Sequence, residues 1–182
     1  MSIVTKTGDQ GETSLMYGRR VTKNDPRVEA YASVDELTAA LGLVRAICDD
    51  KFVAEQIFAA QKELINVMGE LATLPEDRQR YVKDGFKVTD ATMVDRVTAV
   101  IVDLEKDKSL YPKDWVIPGA TAPSAALDFA RVTCRRAERQ VATLKDPNPE
   151  ILRYLNRLSD WCWLLARYTE KRLKQPDNGS NQ

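Results

Sequence analysis

Apolar side chains recur along most of this chain at steps of three and four residues, which is the spacing of an amphipathic helix. The clearest stripe comprises Leu127, Ala130, Cys134, Ala137, Val141 and Leu144. Four further segments share this period, and most glycines and prolines fall between the segments. The pattern predicts an all-α fold built as a five-helix bundle.

Local start and stop signals give approximate bounds for the five helices. Asp25 followed by Pro26 predicts the N-cap and first residue of helix one. The second helix is predicted over residues 52–74, the third opens at residues 89–90, and residues 78–87 form a charged connection between them. The fourth helix is predicted to begin within residues 121–124 and end by residue 146, and the fifth starts after Asn148.

These bounds predict a single domain of 182 residues with three parts. Residues 1–24 form an N-terminal arm, and residues 25–174 form the bundle, with an up-down arrangement of the ferritin-like kind. Residues 175–182 have the composition of a disordered tail.

Composition narrows the classes of function. The chain has 27 basic residues (lysine and arginine) and 27 acidic residues (aspartate and glutamate). It therefore lacks the basic excess of a general nucleic-acid or membrane-surface binder. No apolar run is long enough to span a membrane and no targeting segment is visible, so we expect a cytoplasmic protein. Cys48, Cys134 and Cys162 are expected to be buried free thiols. The chain contains no histidine, which removes the usual general base and imidazole metal ligands.

The fourth predicted helix carries the most unusual polar residues. Arg131 and Arg135 lie one turn apart with Glu138 near them, and like charges at this spacing repel each other in an isolated helix. Such a pair is typical of a site that holds an anion. The alternative is a solvated face on which Asp128 and Glu138 neutralise the arginines.

The N-terminal arm has a different chemistry. Residues 5–15 read TKTGDQGETSL and combine hydroxyls, two glycines and a lysine, and Lys23 follows closely. Glycines let backbone N–H groups converge on an oxyanion, while hydroxyls and lysine add donors and charge. The arm is either a phosphate-binding loop without the Walker spacing or an ordinary polar segment.

Residues 115–120, which read WVIPGA, form an apolar run within a predicted loop. Such a run either packs into the core or remains exposed as a binding surface. We expect it to pack into the core.

Four motifs together carry a family resemblance: TKTGDQGETSL, SVDEL at residues 33–37, CRRAER at residues 134–139 and YLNRLSD at residues 154–160. In this order and spacing, from Thr5 to Arg167, the chain closely resembles the PduO-type ATP:cob(I)alamin adenosyltransferases. The resemblance implies a homotrimer of five-helix bundles that binds ATP and a corrinoid, cobalamin or a relative, between subunits. It also implies a divalent cation, normally Mg²⁺, carried with ATP, and no metal site formed by protein residues alone.

The resemblance implies that cobalt(I) of the corrinoid attacks the 5′-carbon of ATP and expels triphosphate. The protein then supplies alignment and charge stabilisation, which agrees with a chain that lacks histidine. The ATP-binding residues implied by matching position are Thr5, Lys6, Thr7, Gly8, Thr13, Ser14, Lys23, Arg135, Arg136, Glu138, Arg139 and Asn156.

Three further residues complete the implied site. Arg131 corresponds to an arginine that pairs with an aspartate across the subunit interface, here Asp35, although a purely structural ion pair is an alternative. Trp115 stands where the family usually has a phenylalanine that excludes the lower axial ligand of cobalt. Ala120 and Thr38 depart from the usual glycine and asparagine, and Ala120 puts the geometry of the loop in question.

Two other functions compete with this interpretation. A non-catalytic module would use the same arm and arginines to hold ATP as a regulatory ligand. The second rival is a helical scaffold or a ferritin-like protein. A di-iron bundle requires Glu-x-x-His pairs, which a chain without histidine cannot supply, and plain scaffolding would leave the loop of residues 5–15 without a purpose. As a catalyst, the protein would also have a cob(II)alamin reductase and adenosylcobalamin-dependent enzymes as possible partners.

Overall fold

The computed structural model describes residue 4 and residues 6–174, and helices account for most of them. The helices are α1 (Pro26–Ile47), α2 (Lys51–Leu71), α3 (Arg78–Lys83), α4 (Ala91–Leu104), α5 (Ala122–Ala142) and α6 (Pro149–Lys174). Two short antiparallel strands, β1 (Glu12–Ser14) and β2 (Arg20–Thr22), precede them. The predicted all-α fold class is confirmed, and the hairpin of residues 6–24 adds a small sheet.

Side chains cap the helices where the sequence predicts. Asp25 accepts a hydrogen bond from the Arg27 amide at 2.8 Å, with Pro26 as the first helical residue. Thr121 and Ser124 form a reciprocal capping box at the start of α5. Asn148 accepts from the Glu150 amide at 3.0 Å at the start of α6. These contacts satisfy backbone donors that have no partner inside a helix.

Two predictions about the region after the second helix are wrong. The second helix ends at Leu71, not at residue 74, because Leu74 precedes a proline and is extended. Residues 78–87 are not a simple connection, since they contain α3. Tyr81 of α3 is buried and stacks on Phe86 with 4.7 Å between ring centroids, so tertiary packing stabilises this short helix.

Helix α5 lies between α1 and α6, with α2 against α1 and α4 against α6. One hydrophobic core joins these five helices, and its largest fully buried side chains on α6 are Tyr154 and Trp161. The Tyr154 hydroxyl donates to Glu63 of α2 at 2.7 Å, and Glu63 forms a bidentate pair with Arg96 of α4. This polar contact ties α2, α4 and α6 together.

The three cysteines are free and buried, as predicted. Burial raises the pKa of the Cys134 thiol, so this sulfur remains protonated and packs as a small apolar group. Within the described residues, no helix is long and apolar enough to cross a membrane.

Candidate functional site

The outer face of α5 carries Arg131 and Arg135 one turn apart, and Glu138 and Arg139 lie on the following turn. The buried stripe of the same helix fixes this face, because Leu127, Ala130, Cys134, Ala137 and Val141 have no exposed area. Helix α5 is therefore a rigid support for its polar face.

Arg135 and Arg139 are exposed, and neither makes a hydrogen bond or ion pair with any other described residue. The two carboxylates that the sequence offered as neutralising partners are engaged elsewhere. Asp128 contacts Arg131 and Arg167, and Glu138 accepts from Asn156. The alternative of a self-neutralised face therefore fails for Arg135 and Arg139, which leaves two cations available to an anion.

Glu138 and Asn156 lie together across the α5–α6 contact. The Asn156 amide donates to Glu138 at 3.2 Å, and its oxygen accepts from Arg157 at 2.6 Å. Arg136 points the other way and pairs with Glu36 of α1, which reduces its availability to a ligand.

The hairpin brings together several residues of the predicted phosphate loop. Arg20 donates to the Ser14 hydroxyl at 3.0 Å and to the Thr7 carbonyl at 2.9 Å. A side chain on residue 8 would approach the Lys23 ammonium to 3.3 Å, so Gly8 leaves room for that cation against the backbone. The hairpin therefore presents lysine, arginine and hydroxyl groups on one small surface.

Of the remaining predicted arm residues, Lys6 is exposed and Thr13 is half-buried opposite Val21 in the sheet. Thr5 lies outside the described residues. Arg20 is not among the site residues that the resemblance implies, and its pairing with Ser14 becomes visible only once β1 and β2 are aligned.

Polar contacts attach the hairpin to the α2–α3 corner. Arg19 forms a bidentate pair with Asp77, with distances of 2.7 and 2.9 Å. These hydrogen bonds from Arg19 hold the pKa of Asp77 below its usual range. The Tyr17 hydroxyl donates to Asp84 at 3.0 Å, and the Arg80 guanidinium lies 4.1 Å from the centre of the Tyr17 ring. Arg80 and Asp84, within the predicted charged connection, thus help Asp77 to anchor the arm.

The loop before α5 corrects another expectation. Trp115 is 94% exposed and Ile117 is 82% exposed, so the apolar run does not pack into the core. The helices already fill the core with their own side chains, and Gly119 and two prolines hold this segment in an irregular path outside it. Of the two alternatives for residues 115–120, the structure therefore has the exposed apolar surface and not the segment packed into the core.

A cavity of about 460 Å³ lies between this loop and helices α5 and α6. Trp115 and Trp163 provide apolar walls, and Asp128, Arg131 and Arg167 provide charged ones. An aromatic pocket with a few polar groups is the usual form of a site for a small organic ligand.

Asp35 is exposed on α1, and Arg131 binds Asp128 of its own chain at 3.5 Å. The Asp35–Arg131 pair is therefore not formed within the described part of one chain. Residues 8–24 likewise make no hydrogen bond or ion pair with α5 or α6 in the described structure. Through residues 8–24, the hairpin and the α5–α6 face are therefore not linked by polar contacts within one described subunit.

A family model described as cobalamin adenosyltransferase matches residues 3–169. The chain belongs to the cobalamin adenosyltransferase family. The match covers the hairpin and α1 to α5, together with most of α6, so both groups of candidate residues lie inside the matched range.

Relatives agree with this family membership. The chain is 38% identical over 173 residues to the corrinoid adenosyltransferase PduO of Salmonella typhimurium, a match that covers 92% of this chain and 49% of that protein. It spans about half the length of that relative. A corrinoid adenosyltransferase of Citrobacter freundii is 37% identical, and the match covers 92% of this chain and 94% of that one.

A solved structure of a variant PduO-type ATP:corrinoid adenosyltransferase from Lactobacillus reuteri, complexed with cobalamin and ATP, has the same fold. Its TM-score is 0.86 at 32% sequence identity, and the superposition covers 96% of this chain and 94% of that chain.

Proposed function

We propose that this protein transfers the 5′-deoxyadenosyl group of ATP to the cobalt of a reduced corrinoid. The observation that carries the proposal is the pair of exposed, unpartnered guanidinium groups of Arg135 and Arg139 on a rigid helix face. Family membership and the relatives' names supply the reaction, and this face supplies a place for its anionic leaving group.

In the proposed reaction, cobalt(I) donates an electron pair to C5′ of ATP, so a cobalt–carbon bond forms. The bond between C5′ and the triphosphate oxygen breaks, and inorganic triphosphate leaves with that electron pair. No protein base is required, which suits a chain without histidine. The task of Arg135 is to stabilise the negative charge that builds on the departing oxygen.

The proposed ATP site combines the hairpin with the α5–α6 face. Lys6, Thr7, Gly8, Ser14 and Lys23 would bind phosphates, together with Thr5 and Thr13. Glu138 and Asn156, which touch each other across α5 and α6, would contact the nucleoside, with Arg139 beside them. Arg136 would join them only by giving up its pair with Glu36.

Magnesium is proposed to enter with ATP. The described residues contain no group of three or more histidine, cysteine or acidic side chains able to hold a metal ion. This arrangement fits an ion ligated mainly by phosphate oxygens and water, which is how Mg²⁺ commonly binds with nucleotides.

We propose that the corrinoid binds beside Trp115. The exposed indole, with the cavity behind it, is suited to cover the lower face of the corrin and exclude an axial ligand. An aromatic group that displaces this ligand makes cobalt(II) easier to reduce.

A homotrimer would bring the separated halves of the site together. Within one chain the hairpin makes no hydrogen bond to α5 or α6 through residues 8–24, so a neighbouring subunit is the proposed source of the second half. The exposed apolar side chains of Phe129 and Val132 flank Arg131 and would lie in that interface. Arg131 would there meet Asp35 of the neighbouring copy.

The proposed partners are ATP, the corrinoid, a cob(II)alamin reductase and enzymes that use adenosylcobalamin. Three free thiols are typical of a reducing compartment, which supports a cytoplasmic location.

The decisive experiment mixes the purified protein anaerobically with chemically reduced cob(I)alamin, ATP and magnesium. Formation of adenosylcobalamin, followed by its absorption spectrum, with one triphosphate released per turnover is the expected result. ATP binding without conversion would refute the proposal and support the regulatory module, with Trp115 and Ala120 as the first residues to examine.

A further inference from the structure

A buried ion-pair cluster lies behind the cavity, and the proposed reaction gives it no role. Arg167 of α6 and Asp128 of α5 are each only 4% exposed. The Nη2 atom of Arg167 donates to Asp128 at 2.7 Å and to Glu170 at 3.0 Å. The other carboxylate oxygen of Asp128 faces Nε of Arg131 at 3.5 Å. One carboxylate therefore connects a buried guanidinium with one that lines the cavity.

The hydrogen bonds of Arg167 are concentrated on a single nitrogen, and its guanidinium also lies 5.6 Å from the centre of the Trp163 ring. Its Nε and Nη1 atoms are buried without a hydrogen-bond partner among the described residues. Buried donors without partners are destabilising, so folding stability alone does not account for a guanidinium at this position. What Arg167 does provide is a fixed location for the Asp128 carboxylate.

Asp128 in turn restrains Arg131 through Nε only, which leaves the two terminal nitrogens of Arg131 without a partner among the described residues. Arg131, Asp128 and Arg167 all line the cavity beside Trp115 and Trp163. Because a long arginine side chain has many rotamers, holding it by one nitrogen and a buried carboxylate selects the orientation of its outer edge.

We propose that Arg167 is a positioning residue, which acts through Asp128 to orient Arg131 at the cavity. This inference rests on the proposed function, in which the cavity receives the corrinoid. Loss of Arg167 should therefore impair use of the corrinoid more than binding of ATP.

The test compares Arg167→Met with Arg167→Lys. Because only Nη2 of Arg167 is bonded, one lysine ammonium can restore the contact with Asp128. We expect Arg167→Met to lower kcat/KM for cob(I)alamin by about tenfold to a hundredfold, the loss that a misplacement of about 1 Å can cause. Arg167→Lys should recover most of that loss, and KM for ATP should stay within about twofold of the wild-type value in both variants.

A double variant separates positioning from general destabilisation. If Arg167 acts through Arg131, then adding Arg167→Met to Arg131→Met should reduce kcat/KM no further. Arg96→Met is the matched control, because Arg96 is also held by a partly buried carboxylate, Glu63, but does not line the cavity. It should lower stability and leave kcat/KM unchanged. Additive losses in the double variant, or equal losses in the control, would overturn the proposal.

A direct readout keeps this inference distinct from the proposed function. The Arg131 Nε–H signal in a ¹⁵N NMR spectrum should be sharp and protected from solvent exchange in the wild-type protein and in Arg167→Lys. It should broaden in Arg167→Met, whether or not the protein converts cobalamin. If Arg167→Met does not fold, Asp128→Asn tests the same connection with little change in shape. An unchanged Arg131 signal in a folded variant contradicts the positioning role.

Discussion

The two halves of the candidate site are attached to the protein in opposite ways. The face of α5 and α6 rests on side chains such as Cys134, Leu155 and Trp161, none of which has exposed area. In the hairpin, Leu15 is the only buried hydrophobic residue among those described. Ion pairs and hydrogen bonds at the surface attach it to the rest of the chain instead.

This difference predicts different freedom of motion. A helix face supported by a close-packed core moves only when the core opens, which requires most of the free energy of unfolding. A segment held by surface polar contacts can detach locally while the bundle stays intact. In the proposed function, the rigid half would align the reacting atoms, and the hairpin would admit the nucleotide and then close on it.

The largest expected effect concerns the rigid half. Arg135→Ala should reduce turnover of cob(I)alamin and ATP by about a hundredfold to a thousandfold, the usual result of removing one donor to a developing charge. It should not lower the unfolding midpoint, because Arg135 is exposed and makes no ion pair within the described structure.

Arg135→Lys is the matched control, since it keeps the charge but loses the planar fork of donors. It should retain activity between the alanine variant and the wild type. Turnover of Arg135→Ala within about twofold of the wild-type value would rule out a triphosphate contact of the size that such donors provide.

Two leucine substitutions, one in the α5–α6 core and one in the hairpin, test how each half of the site contributes to the free energy of unfolding. Leu155→Ala removes a fully buried side chain from the α5–α6 core and should lower the free energy of unfolding by about 2–5 kcal/mol. Leu15→Ala should change the global midpoint much less, because Leu15 lies outside the main core cluster. Urea denaturation measures both values.

Limited trypsin digestion then shows which part of the chain unfolds locally in each variant. In Leu15→Ala, cleavage after Arg19, Arg20 or Lys23 should become faster while the bundle remains resistant. In Leu155→Ala, cleavage should increase throughout the chain. Equal global destabilisation by both substitutions would show that the hairpin belongs to the same cooperative unit as the bundle.

The sequence predicted the long helices because their signals are local. Each capping side chain accepts a hydrogen bond from an amide only two or three residues further along the chain, as Asp25, Thr121 and Asn148 show. The stripe through Cys134 likewise follows from the period of a single helix. Such features depend on neighbours along the chain, so the order of residues is enough to find them.

The sequence could not predict contacts between distant segments. Arg19 and Asp77 are 58 positions apart, and Asp128 and Arg167 are 39 apart. Helix α3 was missed because its six residues depend on the burial of Tyr81 and not on helical periodicity. The apolar character of the loop around Trp115 favoured a buried position. The side chains of the helices fill the core, however, and the loop remains outside it. The charge pattern and the resemblance found the candidate residues on α5, whereas their partners required the fold.

The smallest expected effect concerns the attachment of the hairpin. Arg19→Gln removes the bidentate pair with Asp77 and should release the hairpin for part of the time. The dissociation constant for ATP, measured by calorimetry, should rise about twofold to tenfold, because apparent affinity falls with the fraction of competent molecules. Arg172→Gln is the control, since Arg172 is similarly exposed and pairs with Asp50 away from the hairpin. It should leave ATP binding unchanged.

Acid should weaken the same attachment in the wild-type protein. Arg19 lowers the pKa of Asp77 from its ordinary value of 3.8, so the carboxylate stabilises the folded hairpin fully above that value. That contribution is lost as the pH falls through the lower, folded-state pKa. The Arg19 Nε–H signal in a ¹⁵N NMR spectrum should therefore remain unchanged from neutral pH down to about pH 5 and shift only below about pH 4. In Asp77→Asn this shift should vanish. Release of the hairpin already near neutral pH would mean that contacts other than the Arg19–Asp77 pair control it.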